Sequence, residues 1–216
     1  MTSSYPPMKR HRETEIKLPA RDRTQLGRLA QLGFKVLRAR HFESNYLFDF
    51  PDLRLRRCRC LLRLRFADGE DRLTFKGPPL GSCRYKSRRE IEVRVEDGVL
   101  LIEVLKSLGL KQTFIYEKYR TIYAEGGKAD FHGLRQVTFD ETPIGNYLEL
   151  EGPEGWIDEI ATRLGYSRRD YIASSYLALY VQKRREEGKK PGNMVFKRGK
   201  AQPFRDGGTN RRSGTV

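Results

Sequence analysis

Residues 12–18 read RETEIKL, and this stretch decides the fold. Glu13, Glu15 and Lys17 occupy every second position. Thr14 and Ile16 lie between them, and Leu18 follows. Because successive side chains of a β-strand point to opposite faces, one face of this strand is ionic and the other is mainly apolar. A single strand of this kind is also typical of the solvated surface of an ordinary sheet, so the pattern gains meaning only if it recurs.

The alternation does recur along the chain. It is found again in residues 61–66, 72–76, 86–95, 113–123, 135–140 and 147–151. The acids on the alternating faces are Glu13, Glu15, Glu90, Glu92, Asp140, Glu149 and Glu151. The bases are Lys17, Arg63, Arg65, Lys76, Arg88, Lys118 and Arg120. Seven acids against seven bases indicate a shared ionic surface rather than scattered solvated positions.

The apolar faces of these strands need a cover, and amphipathic helices are the available one. Helical spacing of apolar residues predicts helices over 22–32, 99–108, 154–164 and about 170–186. With residues 35–50 as a further strand, the count is about eight strands. We therefore predict an α+β fold, an eight-stranded antiparallel closed β-barrel with amphipathic helices packed on the outside. In a closed sheet the ionic faces line the interior, which in a barrel of this size is filled or holds a ligand.

A charged barrel interior is costly unless each charge is paired, hydrated or coordinated. A metal ion together with a polyanion would satisfy such a lining. Carboxylates suit hard cations such as Mg²⁺ or Mn²⁺, while arginine and lysine suit phosphate oxygens.

Charge is unevenly placed in the 216-residue chain, whose net charge is +15. From Lys183 to Val216 there are eleven Lys or Arg residues and three acids, with few large apolar side chains. Such a segment cannot bury enough apolar surface to fold alone. We expect a disordered basic leader over 1–11, one domain over 12–186, and a disordered basic tail over 187–216 that is able to contact polyanions.

Six short motifs follow one another in the order of a known family. They are Glu13-x-Glu15-x-Lys17, Leu62-Arg63-Leu64-Arg65, Thr74-Phe75-Lys76, Arg88-x-Glu90-x-Glu92, Glu117-Lys118-x-Arg120, and Asp140 followed by Glu149-x-Glu151. On these motifs the chain resembles the CYTH superfamily, the triphosphate tunnel metalloenzymes, over residues 12–182. The spacing is most similar to the class IV adenylyl cyclase-like and thiamine triphosphatase-like branch.

The resemblance implies a divalent-metal-dependent enzyme, with Mg²⁺ or Mn²⁺, that acts on a triphosphate inside the barrel. It implies metal ligands among Glu13, Glu15, Glu149 and Glu151, assisted by Asp140, Glu90 and Glu92. It implies triphosphate binding by Lys17, Arg63, Arg65, Lys76, Arg88, Lys118 and Arg120. The residues expected to be catalytic are Glu13, Glu15, Lys17, Glu149 and Glu151. The substrate would be inorganic tripolyphosphate, ATP or thiamine triphosphate.

Several alternatives remain open from the sequence. The same barrel could hydrolyse a triphosphate or, as a class IV adenylyl cyclase, convert ATP to cyclic AMP and pyrophosphate. A non-catalytic polyphosphate- or nucleic-acid-binding protein is the alternative of a different class. We expect a cytoplasmic protein without a membrane partner, since no signal peptide or long apolar segment is present. Homodimer formation is left open.

Overall fold

The computed structural model describes residues 10–20, 24–81, 84–128 and 135–197. The strands are β1 (Arg10–Pro19), β2 (Phe34–Asp49), β3 (Leu61–Ala67), β4 (Glu70–Leu80), β5 (Lys86–Val95), β6 (Lys111–Glu125), β7 (Gln136–Thr142) and β8 (Gly145–Glu151). They form a closed barrel in the order β1-β5-β4-β3-β2-β6-β7-β8, with every neighbouring pair antiparallel. The predicted α+β fold with an eight-stranded closed barrel is confirmed.

Five α-helices accompany the barrel within the described residues. They are α1 (Thr24–Gln31), α2 (Arg54–Arg57), α3 (Gly98–Ser107), α4 (Glu154–Arg163) and α5 (Tyr176–Glu186). Helices α1 and α4 cover the outer faces of β1, β7 and β8, where side chains such as Ile16, Leu148 and Ile157 are fully buried. Helix α3 covers β2 to β5 through Leu105. Each aliphatic side chain buried in this way contributes about 1.5–3 kcal/mol to folding.

Helix α5 differs from the predicted helix over 170–186 in both its start and its position. It begins at Tyr176, because Ser175 caps it and residues before it are extended. Within that extended segment Ile172 exchanges two backbone hydrogen bonds with Lys17 of β1. One face of α5 lines the barrel cavity, so this helix lies at an end of the barrel and does not pack only on its outside.

The end of the barrel that α5 borders is the one where β2 leads into α2 and where β7 turns into β8, as the antiparallel strand order requires. Helix α5 lies against this end through Tyr176 and Tyr180, which pack with Phe114 and Tyr116 of β6. Because α2 and α5 both border the same opening, we call it the helical mouth.

The structured part of the chain extends past residue 186, where the sequence analysis placed the start of the disordered tail. Residues 189–197, here called the C-terminal strap, run beside β6 where β7 does not reach. Met194 exchanges backbone hydrogen bonds with Ile115 and Glu117, and Phe196 packs on Tyr119. The strap thus satisfies backbone groups of β6 that β7 leaves unpaired.

The start of the chain also differs slightly from the expected boundaries. Strand β1 begins at Arg10, inside the leader predicted over 1–11. The rest of that leader, residues 1–9, and the remainder of the predicted tail, residues 198–216, lie outside the described residues. Among the described helices, none is long and apolar enough to cross a membrane.

Substituting Met194→Ala tests the strap. The side chain is fully buried among Leu47, Phe114, Tyr116 and Tyr176, so the truncation leaves a cavity. We expect the free energy of unfolding to fall by about 2–5 kcal/mol in urea denaturation. The control is Val195→Ala, which removes a side chain with 39% of its surface exposed. Equal unfolding midpoints for the two variants would contradict a packed strap.

Candidate functional site

A cavity of about 890 Å³ occupies the barrel and opens at the helical mouth. This volume falls within the range that small-molecule sites usually have. Every predicted site residue except Asp140 lines it. These lining residues are Glu13, Glu15, Lys17, Arg63, Arg65, Lys76, Arg88, Glu90, Glu92, Lys118, Arg120, Glu149 and Glu151. The alternating pattern read from the sequence therefore places the ionic faces inside, as expected.

Lys17 connects the two Glu-x-Glu strands. Its Nζ lies 3.0 Å from Glu149 and 3.3 Å from Glu15, and only 2% of its side chain is exposed. The register of β1 against β8 creates this contact, because Lys17 pairs with Glu149 and Glu15 pairs with Glu151. The two ends of the chain's ionic pattern thus meet in one corner of the cavity.

The carboxyl groups near Lys17 fall into two kinds, those with a lowered pKa and those with a raised pKa. Burial would raise the pKa of Glu15, but Lys17 and Lys86 outweigh it and hold that pKa well below its usual value. Burial acts on Glu149 in the same way, and Lys17 and Arg120 lower its pKa strongly. Both side chains are therefore ionised in the folded protein.

Glu13 and Glu151 behave in the opposite way. Burial raises the pKa of Glu13 to about 9, and the negative charge of Glu151 adds to the shift. Burial also raises the pKa of Glu151 to about 7, although a hydrogen bond from Gln136 opposes the shift. Glu13 is hydrogen-bonded to Glu90, so several carboxyl groups crowd together at this side of the cavity.

The donor set fits a divalent cation in part. Oxygen ligands from crowded carboxylates are the type that Mg²⁺ and Mn²⁺ prefer. However, no three acidic, histidine or cysteine side chains converge on one point within the part of the chain that the structure describes. Mg²⁺ is usually held by one or two carboxylates together with substrate phosphate oxygens and water, so such a corner suits a cation that arrives with its substrate.

Cations from β3 and β6 dominate the opposite wall. Arg65 lies 3.3 Å from Glu43, and its Nε donates a hydrogen bond to Asn45 Oδ1 at 3.0 Å. These two contacts fix the orientation of the guanidinium group. Lys118 lies 3.4 Å from the same Glu43. Arg63 donates to Thr74 at 3.2 Å, while its buried Nε has no partner. A donor in this position is available to an anionic ligand.

Asp140 lies behind the lining and does not face the cavity. Its carboxylate, which is fully buried, accepts hydrogen bonds from Lys118 at 2.9 Å, from Arg120 through two nitrogens, and from the Tyr176 hydroxyl at 2.7 Å. With both oxygens engaged, Asp140 orients these two cations. The structure therefore does not bring Asp140 together with the other expected metal ligands.

Several residues at the site were missed by sequence analysis. The sequence pattern did contain a signal for three of them, Glu43, Lys86 and Tyr116. Each lies at an alternate position on the same strand as a predicted site residue, or opposite one on a paired strand. Tyr176 gave no such signal, because it belongs to a helix and not to an alternating strand. Its ring centroid lies 5.1 Å from Lys17 Nζ and 5.4 Å from Lys118 Nζ. Only the tertiary structure brings α5 to the cavity.

Substituting Glu43→Gln tests the buried ion cluster. Burial would raise the pKa of Glu43, but Arg65 and Lys118 hold it well below its usual value. The carboxylate therefore stabilises the fold above the unfolded-state pKa near 4.5, and this contribution is lost as the pH falls through the lower folded-state value. At neutral pH we expect a loss of about 3–5 kcal/mol, since Arg65 loses its carboxylate partner and Lys118 loses one of two.

Urea denaturation at neutral and at acidic pH measures this effect. The difference between wild type and Glu43→Gln should shrink as the pH is lowered. Glu103→Gln is the control, because Glu103 is 64% exposed in a surface pair with Lys106. A pH-independent difference, or one no larger than that of the control, would rule out the proposed contribution of Glu43.

Comparison with known proteins agrees with this geometry. The CYTH domain family matches residues 11–176. A protein of Methanocaldococcus jannaschii with the provisional name adenylate cyclase is 32% identical over 172 residues, which cover 77% of this chain and 97% of the relative.

Solved structures share the fold. The PH1819 protein of Pyrococcus horikoshii OT3 superposes with a TM-score of 0.66 at 24% identity, covering 80% of this chain and 99% of that one. A Hippeastrum protein, provisionally named an adenylyl cyclase and described with a dominant triphosphatase activity, gives a TM-score of 0.52 at 19% identity, covering 83% and 97%. With the family match spanning most of the barrel, this chain belongs to the CYTH domain family.

Proposed function

We propose that this protein is a divalent-metal-dependent triphosphatase that binds its substrate inside the barrel. The observation that carries the proposal is the division of the cavity into a carboxylate corner and a cationic wall. Lys17, Lys76 and Lys86 contact the carboxylates of the corner. This division matches the needs of a metal–triphosphate complex, which presents both a cation and phosphate oxygens.

The cationic wall would bind the phosphate chain. Arg63 and Arg65 line the cavity from β3, and Lys118 and Arg120 line it from β6. Glu43 and Asp140 hold Arg65, Lys118 and Arg120 from behind. Fixed guanidinium groups bind phosphate oxygens in pairs of hydrogen bonds. Because phosphoryl transfer depends mainly on positioning and charge neutralisation, a rigid cationic wall is well suited to it.

The carboxylate corner would hold Mg²⁺ or Mn²⁺ through Glu13, Glu15, Glu149 and Glu151, with Glu90 and Glu92 beside them. Such an ion supplies charge neutralisation on the phosphates and a water of lowered pKa. Lys17 would orient Glu15 and Glu149 towards the ion while also facing the phosphate chain. Asp140 is assigned to positioning, because its oxygens already accept four hydrogen bonds.

Cyclisation of ATP is the second candidate. The provisional cyclase name of the Methanocaldococcus jannaschii relative favours it. The dominant triphosphatase activity described for the Hippeastrum protein favours hydrolysis. Hydrolysis also demands less of the site, since it needs only water in line with the terminal phosphorus, whereas cyclisation needs the ribose hydroxyl in line with the α-phosphorus. We therefore place hydrolysis first.

A product assay separates these activities. Purified protein is incubated with tripolyphosphate, ATP or thiamine triphosphate, each with Mg²⁺ or Mn²⁺, and the products are resolved by chromatography. We expect orthophosphate without cyclic AMP. Cyclic AMP and pyrophosphate from ATP would establish the cyclase instead. If no substrate turns over while tripolyphosphate raises the melting temperature, the protein is a non-catalytic binder.

Substituting Glu13→Gln tests the carboxylate corner. The amide keeps the size of the side chain but removes a carboxyl group that can become a metal ligand, so metal-dependent turnover should fall by at least about tenfold. Excess EDTA should abolish wild-type turnover. Glu159→Gln, which alters a side chain that is 61% exposed on α4, is the control. Full activity of Glu13→Gln, or of the wild type in EDTA, would exclude this role for the corner.

A further inference from the structure

Three arginines without acidic partners border the helical mouth. Arg56 and Arg59 come from α2 and the turn after it, and Arg185 comes from the last turn of α5. All three are exposed, line the cavity, and form no ion pair with any described residue. We call this set the arginine rim.

The rim is held in place by the fold. Asp49, only 4% exposed, accepts backbone hydrogen bonds from Phe50, Leu55 and Arg56, which fixes the loop between β2 and β3. Arg59 has a left-handed backbone with φ of 57°, an uncommon conformation for a residue other than glycine. Its carbonyl oxygen accepts a hydrogen bond from Arg88 at 3.2 Å. The loop therefore presents its arginines at a fixed place.

Neighbouring arginines on the same elements are arranged differently. Arg54 and Arg57 both bind Asp52, and Arg184 binds Glu187. Asp52 and Glu187 thus form ion pairs with the arginines that do not line the cavity. The arginines at the mouth have no such acidic partner among the described residues.

Charge in the cavity as a whole exceeds what a triphosphate requires. Eleven Lys or Arg residues and six carboxylates line it. A divalent cation in the carboxylate corner adds two further positive charges. A triphosphate carries four to five negative charges, so further anionic groups of a ligand would be stabilised at the mouth.

The chemistry of the rim selects the kind of anion. Guanidinium groups match the geometry of phosphate oxygens. Stacking of bases requires exposed aromatic platforms. The aromatic residues that line the cavity within the described chain are Tyr116 and Tyr176, and both are buried against α5 and β6. The mouth is thus suited to phosphate groups without bases.

We propose that the arginine rim is a second phosphate subsite that takes the part of a linear inorganic polyphosphate extending beyond the three phosphates in the barrel. The inference rests on the proposed function, because it assumes that the chain end occupies the cationic wall. Phosphate residues leaving the helical mouth would pass Arg88 and then contact Arg56, Arg59 and Arg185. The preferred ligand is therefore a phosphate chain longer than three units.

Binding by calorimetry tests the subsite, using tripolyphosphate and a linear polyphosphate of about ten phosphates with the full-length chain. The rim variant carries Arg56→Gln, Arg59→Gln and Arg185→Gln. The charge-matched control carries Arg57→Gln, Arg94→Gln and Arg163→Gln, whose side chains are exposed away from the cavity. Both variants keep the basic tail, so a difference between them reports on the rim alone.

The wild type and the control should bind the longer chain more tightly than tripolyphosphate. The rim variant should lose about 10- to 100-fold in affinity for the longer chain and retain its affinity for tripolyphosphate, since three exposed ion pairs are lost. The slope of log K against log salt for the longer chain should fall by about one for each arginine that contacts a phosphate.

Equal losses for both ligands, equal losses in the rim and control variants, or no loss at all would overturn the subsite. Unchanged polyphosphate affinity with weakened binding of a single-stranded RNA bearing a 5′-triphosphate would also overturn it. The measurement needs no turnover. If the wild type binds both ligands but hydrolyses neither, the triphosphatase proposal fails while the subsite is still tested.

Discussion

Burial of ionic side chains inside a closed barrel is the constraint on which the rest of this structure depends. A charge removed from water destabilises the fold unless a partner of opposite sign or a ligand replaces the lost hydration. The antiparallel register meets this demand by setting acids beside bases on neighbouring strands, as with Lys17 and Glu149 or Lys76 and Glu90. The pairing is incomplete where carboxylates crowd around Glu13, and there a cation would be stabilised.

The helices follow from the same constraint. Because the inner faces of the strands are mainly ionic, most apolar strand residues lie outside, and α1, α3 and α4 bury many of them. Helix α5 has a different place, since it borders the helical mouth and brings the Tyr176 hydroxyl to Asp140. The strap then holds α5 and β6 together through Met194. Helix α5 and the C-terminal strap, which are not strands of the barrel, thus stabilise the cationic wall.

Much of the site could be predicted because odd- and even-numbered positions of a strand point to opposite faces of the sheet. Glu13, Arg63, Lys118 and Glu149 were placed on inner faces by parity alone, and the structure places them around one cavity. Asp140 followed the same parity, but its contacts with Arg120 and Tyr176 place it behind the lining. Parity gives the face of a strand and not the depth of a side chain, which depends on the size of its neighbours.

The amino-acid sequence by itself determined the strands, their ionic and apolar faces, and the need for closure around a charged interior, because these follow from local alternation and from the cost of burying charge. Tertiary structure alone decided how α5 and the strap meet the barrel, which acids are paired, and which arginines stand free at the helical mouth. These features depend on contacts between residues far apart in the chain, such as Lys17 with Ile172 and Tyr116 with Met194, and no local pattern encodes them.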